Sequence, residues 1–222
     1  MDDPVLEQQR HLHALRGLER INRWSRSERI VWLPIWTLAQ ETGTRSLRVL
    51  DIATGAGDVP IRLWHRARRA NVHLRIDGCD RNLRAVAFAA QRAARAQAEV
   101  QFFQWDALAD EIPPGYDVLI SSLFLHHLDN EQGTRLLKHM TQAAGRMMLV
   151  NDLVRSTTGL ALAYVGTRLL SASDVVHTDG PRSVQAAYTI DEVHTLAKRA
   201  GLDEYTVACR WPCRFLLTWR RR

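Results

Sequence analysis

The stretch of the chain that most constrains its fold is LRVLDIATGAGDVP, residues 47–60. Its apolar first half predicts a buried strand. The helix that follows is expected to begin near Pro60, because a proline in the first turn of a helix loses no hydrogen bond. Between them, Gly55 and Gly57 allow a sharp turn and the close approach of a ligand, since neither residue carries a Cβ. The pattern is typical of a ligand-binding turn, and it also fits a tight turn with no ligand.

Strands and helices alternate along the rest of the chain. Further strands are predicted at residues 72–80, 99–104, 116–122, 146–151, 205–210 and 215–219. Helices are predicted at residues 61–70, 83–98, 129–144, 158–170 and 189–200. Short links between alternating strands and helices predict a parallel sheet with helices on both faces.

The length, apolar content and cysteines of the chain limit the classes of protein to which it can belong. The 222 residues, 46% of them apolar, suffice for one domain with a complete core. No segment approaches ~20 uncharged apolar residues and the amino end lacks a signal-peptide pattern, so a cytoplasmic protein without a membrane span is expected. Three cysteines without a Cys-x-x-Cys pair argue against a disulfide framework and a zinc site, and no metal is expected.

The chain is basic, with a net charge of +6. This charge permits attraction to nucleic acid or to an acidic ligand. The alternative is that the arginine clusters at residues 62–69 and 220–222 are solvated helix faces and a frayed tail.

Two segments extend the alternating region. Residues 1–44 are expected to form an N-terminal helical cap, with an amphipathic helix at 6–24 and an apolar helix after a capping box at 25–28. Trp32 and Trp36 of the apolar helix either pack into the core or wall a pocket for an apolar substrate. After strand five, residues 152–188 are expected to form an insertion in the domain 45–222, ending in a long irregular loop at 171–188.

Three predicted strands are each followed closely by an acidic residue: Asp51, Asp80 and Asp106. In a sheet wound in both directions, ligands lie outside the carboxyl ends of the strands, so the three carboxylates are expected to line one crevice. Asp80 follows Gly57 by 23 positions, close to the spacing of a carboxylate that binds a ribose. Its alternative role, as the cap of the next helix, can be filled equally well by Asn82.

Together these motifs resemble the class I methyltransferases that use S-adenosylmethionine, over roughly residues 45–219. VLDIATGAGD resembles the family's glycine motif, with alanine at the usual first glycine, GCD resembles its ribose-binding acid, and WDA its adenine contact. The dinucleotide fingerprint would need a third glycine at position 60, which is proline. The resemblance implies a Rossmann-like, seven-stranded, mostly parallel sheet. It also implies a set of cofactor-binding residues: Asp51, Ala53, Thr54, Gly55, Gly57, Asp80, Arg81, Asp106, Ala107 and Ser121.

The stretch LHHL at residues 125–128 resembles the Leu-His-Asp-Trp stretch in which many O-methyltransferases hold their general base. His126 takes the place of that histidine, and His127 matches a histidine common in quinone methyltransferases. Histidine suits proton transfer from a phenol near neutral pH. The alternative is a structural pair, with one histidine packed and the other exposed. The candidate substrate contacts are Trp32, Trp36, Phe124, Asp152, Arg155, His177, Arg182 and Tyr188.

The resemblance therefore implies methyl transfer from S-adenosylmethionine to oxygen or carbon of a small, largely apolar phenolic, quinone-like or polyketide acceptor, as in secondary metabolism. An RNA or DNA methyltransferase is one alternative, although SSLF after strand four lacks the Asn/Asp-Pro-Pro-aromatic pattern of enzymes that methylate bases. The other alternative is a non-catalytic protein that uses the cofactor fold as a binding surface. The sequence leaves open the acceptor and whether the chain forms a homodimer.

Overall fold

The computed structural model describes residues 27–43, 46–170 and 174–221. Its centre is a seven-stranded sheet in the order β3-β2-β1-β4-β5-β7-β6. Strands β1 to β5 are parallel, β7 pairs antiparallel with β5, and β6 pairs antiparallel with β7. The strands are β1 (Ser46–Ile52), β2 (His73–Asp80), β3 (Val100–Gln104), β4 (Val118–Ser122), β5 (Met147–Leu153), β6 (Tyr205–Arg210) and β7 (Arg214–Arg220). The predicted seven-stranded, mostly parallel sheet is confirmed.

Helices cover both faces of the sheet, as the alternation predicts. They are α1 (Ser27–Thr42), α2 (Asp58–Arg69), α3 (Leu83–Arg95), α4 (Asn130–Ala143), α5 (Thr157–Leu170), α6 (Asp174–Ala186) and α7 (Ile190–Arg199), with a 3-10 turn at Leu125–His127. Among the described residues, no helix combines the length and the apolar character that crossing a membrane requires.

The apolar core lies in two layers, one on each face of the sheet. On one face, Ile35 of α1 and Leu63 of α2 pack in a cluster that includes Leu149 of β5. On the other face, Leu137 of α4 and Leu196 of α7 pack in a second cluster. Strands β4 and β5 are buried on both faces, which explains their nearly continuous apolar sequence.

On the first face, helix α1 runs along the pair of β5 and β7, from the carboxyl end of β5 to its amino end. At its start, the Ser27 hydroxyl accepts a 2.6 Å hydrogen bond from Arg214, which pairs with the last residue of β5. At its end, Glu41 forms a 2.7 Å ion pair with Arg220, which pairs with the first residue of β5. The helix predicted at 6–24 and the first two residues of the predicted capping box lie outside the described residues.

The irregular loop predicted at residues 171–188 is wrong over most of its length, because α6 occupies it and contains Pro181. Helix α6 packs against α5, and a Cβ added to Gly180 would lie 2.4 Å from Thr167 Cγ2 of α5. Val184 of α6 is buried. A proline inside a helix costs ~3 kcal/mol, and the close packing of the two helices outweighs the local signal of Gly180 and Pro181.

The basic clusters are partly neutralised within the protein. Glu28 of α1 lies 4.0 Å from Arg62 and 3.6 Å from Arg66 of α2. At the carboxyl end of the chain, Arg221 donates hydrogen bonds to backbone carbonyls at the end of α4, including Ala144. The predicted frayed tail is therefore wrong for Arg221.

Candidate functional site

The glycine turn after β1 is tied to the neighbouring strand. The Thr54 amide donates to the Cys79 carbonyl of β2 at 2.9 Å, and the Gly57 amide donates to the Thr54 carbonyl at 3.0 Å. Ala53, Gly55 and Gly57 all have positive φ angles, of 55°, 55° and 73°. Such angles suit glycine, so the turn is sharp for the reason that the sequence predicts.

The two glycines of the turn have different roles. A Cβ at Gly55 would have no atom within 4 Å, so the space above this residue is open. A Cβ at Gly57 would lie 2.9 Å from the Phe102 ring and 3.0 Å from Ala89. The clearance predicted at Gly57 is therefore filled by the protein itself, and Gly55 alone leaves room for a ligand.

Asp51 is a buried carboxyl group at the end of β1, with 2% of its surface exposed. Its Oδ2 accepts a 2.7 Å hydrogen bond from the Thr54 hydroxyl, and its Oδ1 has no partner among the described residues. Burial raises the pKa of Asp51 to about 7, against the hydrogen bond from Thr54, and the negative charges of Asp80 and Asp58 raise it further. The buried Oδ1 is a polar atom that a ligand with a hydrogen-bond donor or a positive charge would satisfy.

We expect Asp51→Asn to stabilise the protein at pH 8 and to leave its stability nearly unchanged near pH 4. Because the folded-state pKa is raised, wild type loses stability relative to the variant at up to about 1.4 kcal/mol per pH unit, from the unfolded-state pKa up to about 7. Urea unfolding at several pH values measures the difference. The exposed Asp110→Asn serves as the control, and parallel stability curves for wild type and Asp51→Asn would contradict the expectation.

Asp80 reaches from the end of β2 into the glycine turn. Its Oδ2 accepts from the Gly55 amide at 3.0 Å, and its Oδ1 accepts from the Asn82 amide at 2.9 Å. The cap of α3 is Asn82, whose side chain accepts from the Arg84 amide. Asn82, and not Asp80, therefore caps helix α3. The Asp80 carboxylate lies at the glycine turn, where the ligand-binding interpretation requires it.

The third acid, Asp106, follows β3 at the same edge of the sheet. The Trp105 amide donates to the Asp80 carbonyl at 3.1 Å, which holds this segment beside the end of β2. The Asp106 carboxylate accepts from the Leu108 amide at 2.9 Å, and Ala107 is buried in the apolar core. The three acids Asp51, Asp80 and Asp106 thus lie at the carboxyl ends of three neighbouring strands, as predicted. The side chain of Arg81, in contrast, is exposed to solvent.

The 3-10 turn after β4 brings His126 against a buried carboxylate. His126 Nδ1 lies 2.7 Å from Asp152 Oδ1, and the His126 amide donates to Asp152 Oδ2 at 3.3 Å. Burial alone would raise the pKa of Asp152, but the charge and hydrogen bond of His126 and the amide of Leu153 outweigh burial and hold this pKa below its usual value. In the neutral ring, an Nδ1–H that donates to the ionised Asp152 leaves the lone pair on Nε2 of His126.

The two histidines of the turn differ in environment. His126 is 7% exposed, whereas His127 is exposed and its ring stacks at a tilt on that of His126, with the centroids 4.1 Å apart. The expected packed-and-exposed pair is thus present, but the packed member is held by a carboxylate. Helix α6 contacts this turn, so the insertion after β5 lies next to the histidines.

Three of the predicted substrate contacts are bonded to other residues of the protein. Asp152 is the partner of His126. Tyr188 is buried, and its hydroxyl donates to the Leu128 carbonyl at 2.7 Å. Arg155 forms an ion pair with Glu192 at the start of α7.

The remaining candidates are not brought together. Trp32 packs against the core cluster beneath α1, as its core alternative requires, and Trp36 is 40% exposed on the same helix. Phe124 packs against the other cluster. His177 and Arg182 lie on α6, the first half-buried and the second exposed.

Apart from Ser121, sequence reasoning missed the buried polar groups at the carboxyl ends of β4 and β5. Ser121, proposed only as a cofactor contact, has a buried hydroxyl with no partner among the described residues, as do Ser122 and the Asn151 carboxamide. Arg214 is buried at the start of β7, and burial lowers its pKa to about 10 against the opposing charge of Asp152. The sequence signal was the polar pair Asn-Asp inside an otherwise apolar strand.

Comparison with known proteins identifies residues 49–145 as matching the family described as "Methyltransferase domain". A demethylmenaquinone methyltransferase of Thermus thermophilus is 34% identical over 105 residues. This match covers 46% of the present chain and 46% of the relative, so the chain matches about half the length of that curated protein.

Solved structures resemble the whole described fold. The magnesium protoporphyrin IX methyltransferase of Synechocystis PCC 6803 with bound SAH has a TM-score of 0.59 at 16% identity, over 99% of this chain and 90% of that one. The S-adenosylmethionine-dependent methyltransferase SibL has a TM-score of 0.63 at 22% identity, over 90% and 56%. An O-methyltransferase family 2 protein of Planctomyces limnophilus in complex with apigenin has a TM-score of 0.58 at 18% identity, over 86% and 60%. At these identities the structures show the fold.

Proposed function

We propose that this chain, in which residues 49–145 form a methyltransferase domain, transfers a methyl group from S-adenosylmethionine to a small, largely apolar acceptor. The acceptor is a phenolic, quinone-like or polyketide compound of the kind made in secondary metabolism. The names of the compared proteins support a small-molecule acceptor. The observation that carries the proposal is the pair of His126 and Asp152, which lies at the carboxyl ends of the central strands beside the strand that carries the glycine turn.

The residues at the glycine turn fit S-adenosylmethionine. The Asp80 carboxylate suits the two hydroxyls of a ribose, and the open space above Gly55 allows close approach to the backbone. The buried, unpartnered Oδ1 of Asp51 suits a cationic ligand. A basic dinucleotide-type phosphate cradle is not needed, because this cofactor has no pyrophosphate.

The bound cofactor supplies a methyl group that its sulfonium already activates, so the protein has to position the acceptor and move one proton. Holding the acceptor oxygen in line with the methyl group can supply ~7–11 kcal/mol of the barrier. His126 Nε2 would accept the proton of the acceptor hydroxyl, which leaves that oxygen free to take the methyl group that S-adenosylmethionine would supply. Asp152 holds Nδ1–H and stabilises the imidazolium that results. For a carbon acceptor, the same base would take the proton from the phenol that activates the ring, and the proton lost from the methylated carbon would return the oxygen to a phenol.

The proposal predicts transfer of radiolabelled methyl from S-adenosylmethionine to phenols and hydroquinones incubated with the purified protein. The matched control compounds are the corresponding methyl ethers, in which the hydroxyl proton is absent, and they should remain unlabelled. Calorimetry with S-adenosylhomocysteine measures cofactor binding separately. Binding without transfer to any phenol or hydroquinone would instead support a non-catalytic protein, and label in added RNA alone would support a nucleic-acid enzyme.

A further inference from the structure

Arg92 of α3 holds the glycine turn on both sides of Gly57. Its Nη1 donates a 2.6 Å hydrogen bond to the Ala56 carbonyl, and its Nη2 donates a 2.9 Å hydrogen bond to Asp58 Oδ1 at the start of α2. The Arg92 side chain is 17% exposed and that of Asp58 is 8% exposed. Both acceptors are therefore bound away from bulk water by one planar guanidinium, a geometry that fixes their relative positions.

The same face of α3 also supports the turn by packing. Ala89 lies one helical turn before Arg92, and a Cβ added at Gly57 would lie 3.0 Å from the Ala89 methyl group. Gly57 is the cap residue of α2 and has no side chain that could accept from the first amides of this helix. Helix α3 thus supplies a packing surface and two hydrogen bonds to a segment that has no side-chain cap of its own.

The segment that Arg92 holds continues directly into the proposed cofactor contacts. Ala56 follows Gly55, whose amide donates to the Asp80 carboxylate at 3.0 Å and above which the space is open. Glycine lies on both sides of Ala56 and leaves the chain wide conformational freedom, so the residues of the turn do not by themselves restrict it to one shape. The hydrogen bond from α3 to the Ala56 carbonyl restricts this freedom before a ligand arrives.

We propose that Arg92 is a positioning residue for cofactor binding, which keeps the glycine turn in the conformation that places the Gly55 amide at the Asp80 carboxylate. The inference rests on the proposed binding of S-adenosylmethionine at this turn. It assigns a role to a helix that carries none of the residues proposed to contact the cofactor or the acceptor. If the turn adopts the binding conformation for only a fraction of the time, the apparent Kd rises by the inverse of that fraction.

Calorimetry with S-adenosylhomocysteine tests the inference in two variants. Arg92→Met keeps an apolar stem and removes both hydrogen bonds, and Arg92→Lys keeps the charge without the planar pair of donors. We expect the Kd to rise about tenfold or more in Arg92→Met, equivalent to a turn that is correctly shaped at most about a tenth of the time, and by a smaller factor in Arg92→Lys. Arg95→Met changes an exposed arginine of the same helix and should bind as wild type does.

A second control separates the hold on the turn from the charge beside it. Arg62 lies 3.8 Å from Asp58 Oδ1 and belongs to the same helix as Asp58. Arg62→Met therefore removes a neighbouring positive charge without removing the hydrogen bond to the Ala56 carbonyl, and its Kd should stay within about twofold of wild type. An increase in Kd as large as that of Arg92→Met would assign the effect to charge and overturn the inference.

The kinetic constants distinguish positioning from a general loss of structure. His126 lies on the 3-10 turn and Asp152 on β5, whereas Arg92 lies on α3. With an acceptor that wild type methylates, Arg92→Met should raise the KM for S-adenosylmethionine about tenfold and keep kcat at saturating cofactor within about twofold. A partly unfolded variant would show a lower kcat with an unchanged KM, and that result would overturn the inference.

Amide hydrogen exchange of the free protein needs neither cofactor nor acceptor. The Gly57 amide donates to the Thr54 carbonyl at 3.0 Å within the turn, and its exchange should be at least about tenfold faster in Arg92→Met. The amide of Leu149, in the buried strand β5, reports global unfolding and should exchange at the wild-type rate. Equal rates at Gly57 in wild type and variant overturn the inference, as does an equal acceleration of both amides.

The binding experiment separates the inference from the proposed function. If wild type binds S-adenosylhomocysteine and Arg92→Met binds it equally well, the inference fails and the proposed function stands. If wild type itself does not bind S-adenosylhomocysteine, the proposed function fails together with the inference.

Discussion

His126→Ala is expected to lower kcat for methyl transfer to a phenol about 10²–10⁴-fold, the usual contribution of a positioned general base. The Kd for S-adenosylmethionine should stay within about twofold, because His126 is bonded to Asp152 and not to the glycine turn. Stopped-time assays with radiolabelled cofactor give kcat, and calorimetry gives Kd. A normal rate in the variant would remove His126 from the mechanism.

The neighbouring histidine provides the matched control for this expectation. His127→Ala removes an exposed ring of the same chemistry one residue away and should leave kcat close to wild type. Asp152→Asn tests the positioning role: the amide cannot fix the Nδ1–H tautomer or stabilise the imidazolium as the carboxylate does. Its pH–rate profile should shift, whereas loss of packing alone would lower the rate equally at all pH values.

Asp80→Ala is expected to weaken S-adenosylmethionine binding by about 10- to 100-fold, since hydrogen bonds to a charged group are each worth ~1.5–3 kcal/mol. The carboxylate also holds the Gly55 and Asn82 amides, so the Tm of the variant must be measured alongside its Kd. Glu99→Ala, which removes an exposed carboxylate near the next strand, is the control and should bind normally. Unchanged affinity in a folded Asp80→Ala protein would refute the cofactor position.

The features that could be predicted from the sequence are those set by patterns among residues that are close together in the chain. Alternating strands and helices, the capping residue Asn82, and the acids at the ends of successive strands follow from patterns within a few residues. Parallel register then places Asp51, Asp80 and Asp106 at one edge without further information.

The features that escaped prediction depend on contacts between distant residues. His126 and Asp152 are 26 residues apart, and only the fold shows that the predicted substrate contact is the partner of the predicted base. The ring of Phe102, 45 positions beyond Gly57, decides that this glycine serves packing. Likewise, the α5–α6 contact through Gly180 turns a segment with loop composition into a helix. The residues next to each of these positions in the sequence do not indicate which distant residue will contact it.

The contact between Arg214 and Ser27 joins residues 187 positions apart. During synthesis, the Ser27 hydroxyl in the first turn of α1 therefore lacks its Arg214 partner until β7 has left the ribosome. In that interval, the apolar side chains of α1 and of strands β1 to β5 lack their contacts with β6 and β7, the two antiparallel strands that complete the sheet. Contacts of such long sequence separation form late. We therefore expect nascent chains truncated before β7 to be bound by chaperones.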